Sequence, residues 1–214
     1  MIDPTARIIF FGSTGDSVSV LEKLITPRVR AVVTQPARPV GRKQMLTPTP
    51  VETWAKARGI AVLSFPSDPE KPWLYADERQ VIDALQPLKA NLLVSACYGQ
   101  KIPWETIRQA RFGGLNVHPS LLPRWRGADP VPWAILAGDH QTGVTVATLS
   151  EKFDEGAVVA QKKFPIIDSD TSDALRTTLF TIGADLLMEV IPEFLSTKHG
   201  MKSSLITDHL SLIT

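Results

Sequence analysis

Gly114-Leu-Asn-Val-His-Pro-Ser-Leu-Leu-Pro-Arg-Trp-Arg-Gly-Ala-Asp-Pro130 is the stretch that decides the fold. It begins like a buried strand, and in a strand the side chains of residues i and i+2 point to the same face. Asn116 and His118 are therefore expected side by side where the strand ends. Pro119 and Pro123 remove backbone donors and stop the strand. A shaped loop at the carboxyl end of a strand is the usual place for a ligand in an open α/β sheet.

Strand-like and helix-like segments alternate along the rest of the chain. Short apolar runs predict strands at 6–12, 29–34, 61–65, 91–97, 114–118, 143–149 and 157–167. Periodic or capped segments predict helices at 17–26, 50–58, 77–88, 130–137 and 171–196. The alternation predicts the α/β class, with a doubly wound, mostly parallel, Rossmann-like sheet. The last two strands have no helix between them, which predicts an antiparallel hairpin at one edge.

Composition sets the broad class of protein. The chain has 214 residues, 43% of them hydrophobic and 21% charged, which suits one soluble α/β domain. A formal net charge of +1 means that any nucleic-acid contact must come from a local basic patch. The single cysteine, Cys97, fits a reducing compartment and is expected to be a small buried hydrophobe. No apolar run approaches the roughly 18 residues of a membrane span. We therefore expect a cytoplasmic protein with no membrane contact, and favour a monomer.

The turn after the first strand reads Gly12-Ser-Thr-Gly-Asp16. It resembles a dinucleotide-binding turn only superficially, because that fingerprint needs a third glycine at a set spacing. A tight turn whose glycines adopt positive φ explains the residues better. Its position beside the central motif makes it a candidate wall of the pocket.

Asn116, His118 and Asp154 are the candidate catalytic residues. Each alone has an ordinary alternative, since Asn at a strand end and Asp before glycine are usual in turns, and a lone His is more often structural. Together they suit acyl transfer to an amine. The amide donates to the developing oxyanion, the imidazole donates or shuttles a proton, and the carboxylate orients the imidazole and accepts the proton of the amine. Neither a nucleophilic serine or cysteine nor a metal is expected.

The string Asn116–Gly127, followed by Thr142-Gly-Val-Thr145 and by Asp154-x-Gly156, resembles the folate-dependent formyltransferases over about residues 7–194. Within them it is most similar to the branch that acts on methionyl-tRNA, although enzymes that formylate glycinamide ribonucleotide or sugar nucleotides share the motif. The resemblance implies the formyltransferase fold, the three catalytic roles and 10-formyltetrahydrofolate as the donor. It also implies that the folate is held by Ser120, Leu121, Leu122, Pro123, Ala96 and Tyr98.

Residues 34–50, Thr-Gln-Pro-Ala-Arg-Pro-Val-Gly-Arg-Lys-Gln-Met-Leu-Thr-Pro-Thr-Pro, form a basic segment stiffened by prolines. On the residues alone, a solvated surface loop is the better explanation. The segment is nevertheless similar to the loop that inserts against the tRNA acceptor end in the methionyl-tRNA branch. The resemblance therefore implies methionyl initiator tRNA as the partner, bound by Arg38, Arg42 and Lys43, because guanidinium groups suit phosphates and base edges.

Three further expectations concern a second cluster, the domain bounds and the acceptor. Arg124, Trp125 and Arg126 form a second basic cluster that either meets a terminal base or the basic loop, or simply packs. Residues 1–196 are expected to form the catalytic domain, and the tail 197–214 is too short for the β-barrel that relatives carry, so no second domain is expected. The acceptor is expected to be methionyl-tRNA, with another primary amine (an amino sugar nucleotide or glycinamide ribonucleotide) or a non-catalytic folate- or RNA-binding remnant as alternatives.

Overall fold

A seven-stranded sheet runs through the centre of the computed structural model, which describes residues 6–24 and 28–196. The strands are β1 (Ile8–Phe11), β2 (Val29–Val33), β3 (Arg38–Val40), β4 (Met45–Thr47), β5 (Ala61–Leu63), β6 (Leu92–Ala96), β7 (Gly114–His118), β8 (Gln141–Thr148) and β9 (Val158–Pro165). The helices are α1 (Gly15–Lys23), α2 (Pro50–Lys56), α3 (Glu78–Leu85), α4 (Trp104–Gln109), α5 (Pro130–Leu136) and α6 (Ser172–Ser196). The predicted tail 197–214 lies outside the described residues.

The strand order of the main sheet is β5-β2-β1-β6-β7-β8-β9. In this order the five strands from β5 to β7 are parallel. Strand β8 runs antiparallel to β7, and β9 runs antiparallel to β8. The predicted α/β fold with an antiparallel edge hairpin is therefore confirmed. The chain goes from β1 outward to β2 and β5 and then returns to β6 on the other side of β1. Such a reversal opens a crevice at the carboxyl ends of the central strands.

The sheet has a hydrophobic core on each face, and successive side chains of β7 point to opposite faces. Leu115 and Val117 are buried in the larger core with residues of α1, α2 and α6. Because side chains alternate along a strand, Asn116 and His118 point to the opposite face. Helices α3 and α4 cover that second face further along the sheet. The two polar side chains thus leave the sheet at its carboxyl edge, away from the larger core.

Helix α6 lies directly against the strand that carries these polar side chains. A Cβ atom added at Gly183 would lie 2.5 Å from Val117 Cγ1 and 2.7 Å from Val144 Cγ2. The close approach of the α6 backbone to β7 and β8 therefore requires a residue without a side chain.

Within residues 6–24 and 28–196, no helix combines the length and apolar character needed to cross a membrane.

Side-chain caps mark the starts of α1 and α2. The predicted cap at Thr49 is confirmed, since its hydroxyl accepts from the backbone N–H of Glu52 at 3.0 Å with Pro50 next in the chain. Helix α1 begins two residues earlier than predicted. Thr14 Oγ1 accepts from the N–H of Ser17, and Ser17 Oγ accepts from the N–H of Thr14, which forms a capping box.

The turn between β1 and α1 corrects one expectation. Neither Gly12 nor Gly15 has positive φ, so the predicted reason for these glycines was wrong. A Cβ at Gly12 would lie 2.7 Å from Ser17 Cβ and 2.6 Å from the Phe10 ring. Gly12 is therefore required by the close packing of the α1 N-terminus against β1.

Three elements, β3, β4 and α4, were not predicted from the sequence. Strands β3 and β4 form a small antiparallel hairpin within residues 34–50, and all their side chains are exposed. With no buried face, the hairpin shows no alternation of apolar and polar residues. Helix α4 has only six residues, fewer than two turns. All three elements are too short for periodicity to indicate them.

Candidate active site

A cleft of about 880 Å³ opens at the carboxyl ends of β1, β6 and β7. Its walls come from the turn after β1, from residues 97–102 after β6, from the end of β7 and from the loop between β8 and β9. The volume lies in the range of small-molecule sites. The predicted catalytic residues Asn116, His118 and Asp154 all line this cleft.

These three side chains meet at the carboxylate of Asp154. Asn116 Nδ2 donates to Asp154 Oδ1 at 3.1 Å, although the residues are 38 positions apart. His118 Nδ1 lies 3.6 Å from the same oxygen. The side chains of His118 and Asp154 are only 6% and 9% exposed, so water competes little for their polar atoms. The structure thus brings together an amide, an imidazole and a carboxylate at one wall of the cleft.

A backbone carbonyl sets the tautomer of His118. Its Nε2 lies 2.8 Å from the carbonyl oxygen of Trp125. A carbonyl oxygen only accepts hydrogen bonds, so this contact requires a proton on Nε2. In this tautomer the other nitrogen, Nδ1, carries no proton and faces Asp154 Oδ1 at 3.6 Å.

The loop that supplies the Trp125 carbonyl also positions Asp154. Its Oδ2 accepts from the backbone N–H of Gly127 at 2.8 Å, and its own carbonyl accepts from Arg126 Nε at 3.1 Å. Asp154 has φ of 53°, in the left-handed region that few residues adopt. Residues 125–127 therefore hold both the imidazole and the carboxylate. Sequence reasoning missed this positioning role because the key contacts use backbone atoms.

The Asp139 side chain, which lies outside the loop of residues 124–127, holds this loop in place through hydrogen bonds. Arg124 donates to both of its carboxylate oxygens, at 2.9 and 2.7 Å, and Trp125 Nε1 donates to Oδ2 at 2.7 Å. The Arg124 guanidinium also lies 4.5 Å from the centre of the Trp125 ring. Hydrogen bonds from Arg124 and then Trp125 hold the pKa of Asp139 below its usual value. Arg124 and Trp125 thus pack on Asp139 and on each other, and a contact with a terminal base stays a prediction.

The six residues expected to hold the folate do not all lie on the cleft wall. Tyr98 lines the cleft, and its hydroxyl lies 2.7 Å from the hydroxyl of Tyr75. Burial raises the pKa of both phenols, which stay neutral. Ala96 lies fully buried in the larger core instead of on the cleft wall, because its side chain points to the α1 face of β6.

Ser120, Leu121, Leu122 and Pro123 do not line the cleft either. The Ser120 hydroxyl is fully buried and donates to the carbonyl of Arg124, and the N–H of Leu122 donates to Thr145 Oγ1. The loop turns away from the cleft after Pro119 and packs against β8. In this arrangement residues 120–123 shape the loop that carries Trp125 and Gly127, and direct contact with a folate stays a prediction.

The predicted RNA-binding residues lie outside the cleft. Arg38 lies in β3, and Arg42 and Lys43 lie in the turn between β3 and β4, all of them exposed. None forms an ion pair within residues 6–24 and 28–196. The hairpin also exposes three large apolar side chains, those of Val40, Met45 and Leu46. It therefore presents free cations beside apolar side chains.

Arg176 and Cys97 are cleft residues that the sequence did not indicate. Arg176 lines the cleft and donates from Nε to Asp16 Oδ2 at 2.9 Å, joining the first turns of α6 and α1 across 160 positions. No local pattern could have indicated that pair. Cys97 is half-buried and lines the cleft, so the expectation of a buried hydrophobe was only partly right. Burial raises the pKa of its thiol.

The sequence is similar to known proteins over most of its length. The profile of the formyl transferase family matches residues 6–191. A methionyl-tRNA formyltransferase of Listeria innocua is 44% identical over 90% of this chain, and that of Halorhodospira halophila is 45% identical over 89%. The chain spans 59% of the length of each of these relatives.

Solved structures share the fold. Phosphoribosylglycinamide formyltransferase from Streptococcus pneumoniae superposes with a TM-score of 0.70 at 22% identity, covering 90% of this chain and all of that one. A formyltetrahydrofolate deformylase from Pseudomonas syringae superposes with a TM-score of 0.69 at 18% identity, covering 88% of this chain and 61% of that one. At such identities the likeness concerns the fold alone.

Proposed function

The chain belongs to the formyl transferase family, and we propose that it transfers a formyl group from 10-formyltetrahydrofolate to the α-amino group of methionyl-tRNA. The observation that carries the proposal is the contact of Asp154 with both Asn116 and His118 inside the cleft. The names of relatives that are 44 and 45% identical support the acceptor. The cleft volume of about 880 Å³ lies in the upper part of the range of small-molecule sites.

Asn116 suits the stabilisation of negative charge on the formyl oxygen. Its amide nitrogen carries two hydrogens, and one is used on Asp154. This contact orients the amide and leaves the second hydrogen for a substrate oxygen. When Nδ1 of His118 carries a proton, it is a second donor to the same oxygen. Donors fixed in advance in a site of low water content stabilise a developing oxyanion strongly.

Asp154 suits the removal of the proton from the attacking amine. An α-amino group has a pKa of about 8, so a useful neutral fraction exists at pH 7. As the new C–N bond forms, the nitrogen becomes positive and gives its proton to Asp154, whose Oδ2 stays held by Gly127. The bond between the formyl carbon and the folate nitrogen then breaks, and the proton taken by Asp154 passes through His118 Nδ1, 3.6 Å from Asp154 Oδ1, to this nitrogen.

The β3–β4 hairpin supports a nucleic-acid acceptor. Arg38, Arg42 and Lys43 are exposed and free of carboxylate partners among the described residues. Neutralised phosphates supply much of the affinity for RNA. Because the whole chain has a net charge of only +1, a local group of cations such as that of this hairpin is needed to attract RNA phosphates.

Steady-state kinetics with three acceptors tests the proposal. The chain is supplied with 10-formyltetrahydrofolate and with methionyl-tRNA, glycinamide ribonucleotide or an amino sugar nucleotide. We expect formyl-methionyl-tRNA as the main product. Rapid formylation of a small amine, with no product from methionyl-tRNA, would replace the acceptor. Folate binding without turnover on any acceptor would instead make the chain a binding protein.

A further inference from the structure

Trp73 is a cleft residue that the mechanism above does not use. It lies in the loop between β5 and α3, and its side chain is 49% exposed while it lines the cleft. A large aromatic ring left half-exposed at the mouth of a cleft can bury further apolar surface only against a ligand or a partner. Trp133, on α5, is similarly exposed at 55% but does not line the cleft.

The loop that carries Trp73 is closed by its own hydrogen bonds. The N–H of Asp68 donates to the carbonyl of Leu74 at 3.0 Å. The Asp68 carboxylate accepts from the backbone N–H groups of Glu70 and Lys71 at 2.9 and 2.8 Å. The ring of Trp73 is therefore presented on a defined turn.

The loop is also attached to the wall of the cleft. The N–H of Lys101 donates to the carbonyl of Trp73 at 2.8 Å. Two residues away, the buried hydroxyl of Tyr75 pairs with that of Tyr98, which lines the cleft. These contacts place the Trp73 backbone beside Lys101 and leave its side chain unused at the cleft that residues 97–102 also line.

The neighbouring wall contains a buried polar atom without a partner. Gln100 lines the cleft and is only 2% exposed, and its Nε2 donates to Ser67 Oγ at 3.0 Å. Its Oε1 has no hydrogen-bond partner within the described residues. A buried acceptor without a donor costs free energy. An N–H group brought by a ligand at this wall would remove that cost.

We infer that Trp73 stacks on the aromatic rings of the folate donor. The inference rests on the proposed function, because that function supplies a ligand with planar rings and ring N–H groups. Stacking on an aromatic side chain suits such a ligand, whereas the reacting groups are held by Asn116, His118 and Asp154. Trp73 is thus a residue for donor binding and does not touch the reacting atoms.

Calorimetric titration with 5-formyltetrahydrofolate, a stable isomer of the donor, tests the inference. Trp73→Ala should weaken binding about tenfold or more, the size of effect found when a stacking platform is removed. Trp73→Phe keeps a ring and should restore most of the affinity. Trp133→Ala is the matched control, since it removes an equally exposed indole outside the cleft, and it should leave Kd unchanged. At saturating donor, kcat of Trp73→Ala should stay near that of the parent chain.

The outcomes separate this inference from the function on which it rests. If the parent chain binds the folate and Trp73→Ala binds it equally well, Trp73 has no role in donor binding. A lower kcat at unchanged Kd would also overturn the inference, since it would indicate a structural role. If the parent chain binds no folate, the donor itself is refuted, and the inference with it.

Discussion

At the scale of single residues, backbone groups orient the two ionisable side chains in the site and fix the tautomer of His118. The Trp125 carbonyl requires the proton of His118 on Nε2, and the Gly127 N–H holds one oxygen of Asp154. Both contacts are made by backbone atoms, although Asp139 holds the Trp125 side chain and Gly127 has a φ of 86° that favours glycine. The chemistry of His118 and Asp154 therefore depends on the path of a short loop.

The first prediction concerns Asn116, His118 and Asp154. Asn116→Ala and His118→Ala each remove one donor to the developing oxyanion, which typically lowers turnover about a hundredfold or more. Asp154→Asn keeps the shape of the side chain but removes the base, and a fall of similar size is expected. Steady-state formylation with saturating donor measures the effect.

Thermal unfolding of the same variants is the control. Asn116 is only partly buried, so Asn116→Ala should unfold within a few degrees of the parent chain. Near-normal turnover by any of the folded variants would contradict the assigned roles.

At the scale of structural elements, Asp139 holds residues 124–127 in place through Arg124 and Trp125. The pKa of Asp139 is lowered in the folded protein, first by the hydrogen bond from Arg124 and then by that from Trp125. A group with a lowered folded pKa stabilises the fold fully above its unfolded pKa. This stabilisation disappears as the pH falls through the folded pKa.

The second prediction follows from the lowered pKa of Asp139 in the folded protein. Asp139→Asn should lower the melting temperature at pH 7, and the difference from the parent chain should shrink as the pH falls below about 4. Asp83→Asn is the matched control, since Asp83 forms an exposed pair with Arg79, and such pairs contribute little. A difference for Asp139→Asn that stays constant from pH 7 to pH 3 would refute the role of its charge.

The third prediction concerns the β3–β4 hairpin. The double variant Arg42→Ala/Lys43→Ala should raise KM for methionyl-tRNA and leave the KM for folate unchanged, because both residues lie outside the cleft. The slope of log affinity for tRNA against log salt should fall by about one for each phosphate that the variant no longer neutralises.

Lys162→Ala/Lys163→Ala is the matched control for this variant. It removes two adjacent exposed cations from β9 and changes the net charge equally. If both double variants change tRNA affinity alike, only total charge matters, and the hairpin is an ordinary solvated element.

At the scale of the whole molecule, α6 links distant parts of the chain. Its first turn is joined to α1 by Arg176 and Asp16, and further along Gly183 lies against Val117 and Val144. Val117 lies between Asn116 and His118, the two residues of β7 for which a catalytic role is proposed. The position of α6 therefore affects the strand that carries Asn116 and His118.

The fourth prediction uses Gly183. Alanine is favoured over glycine in a helix by about 1 kcal/mol, but overpacking typically costs about 1–3 kcal/mol. We expect Gly183→Ala to lower the free energy of unfolding, measured by urea denaturation, and to reduce turnover. Gly15→Ala is the control, because a Cβ there would have no neighbour within 4 Å and should be tolerated. Equal stability of Gly183→Ala and the parent chain would contradict the close approach of α6.

The amino-acid sequence alone predicted what depends on neighbours in the chain. Alternation along 114–118 placed Asn116 and His118 on one face, and Thr49 with Pro50 marked the start of α2. Apolar runs separated by helical segments predicted the parallel sheet. These signals are readable because secondary structure imposes short, regular periods on side chains.

The tertiary structure decided the contacts between distant parts of the chain. Asp154 meets Asn116 across 38 positions, and Arg176 meets Asp16 across 160. The loop contacts of His118 and Asp154 use a backbone carbonyl and a backbone N–H, which nearly every residue possesses and which therefore leave no mark in the sequence. Strand order and loop paths bring these groups together, and they arise from the packing of the whole sheet, which local periodicity does not encode.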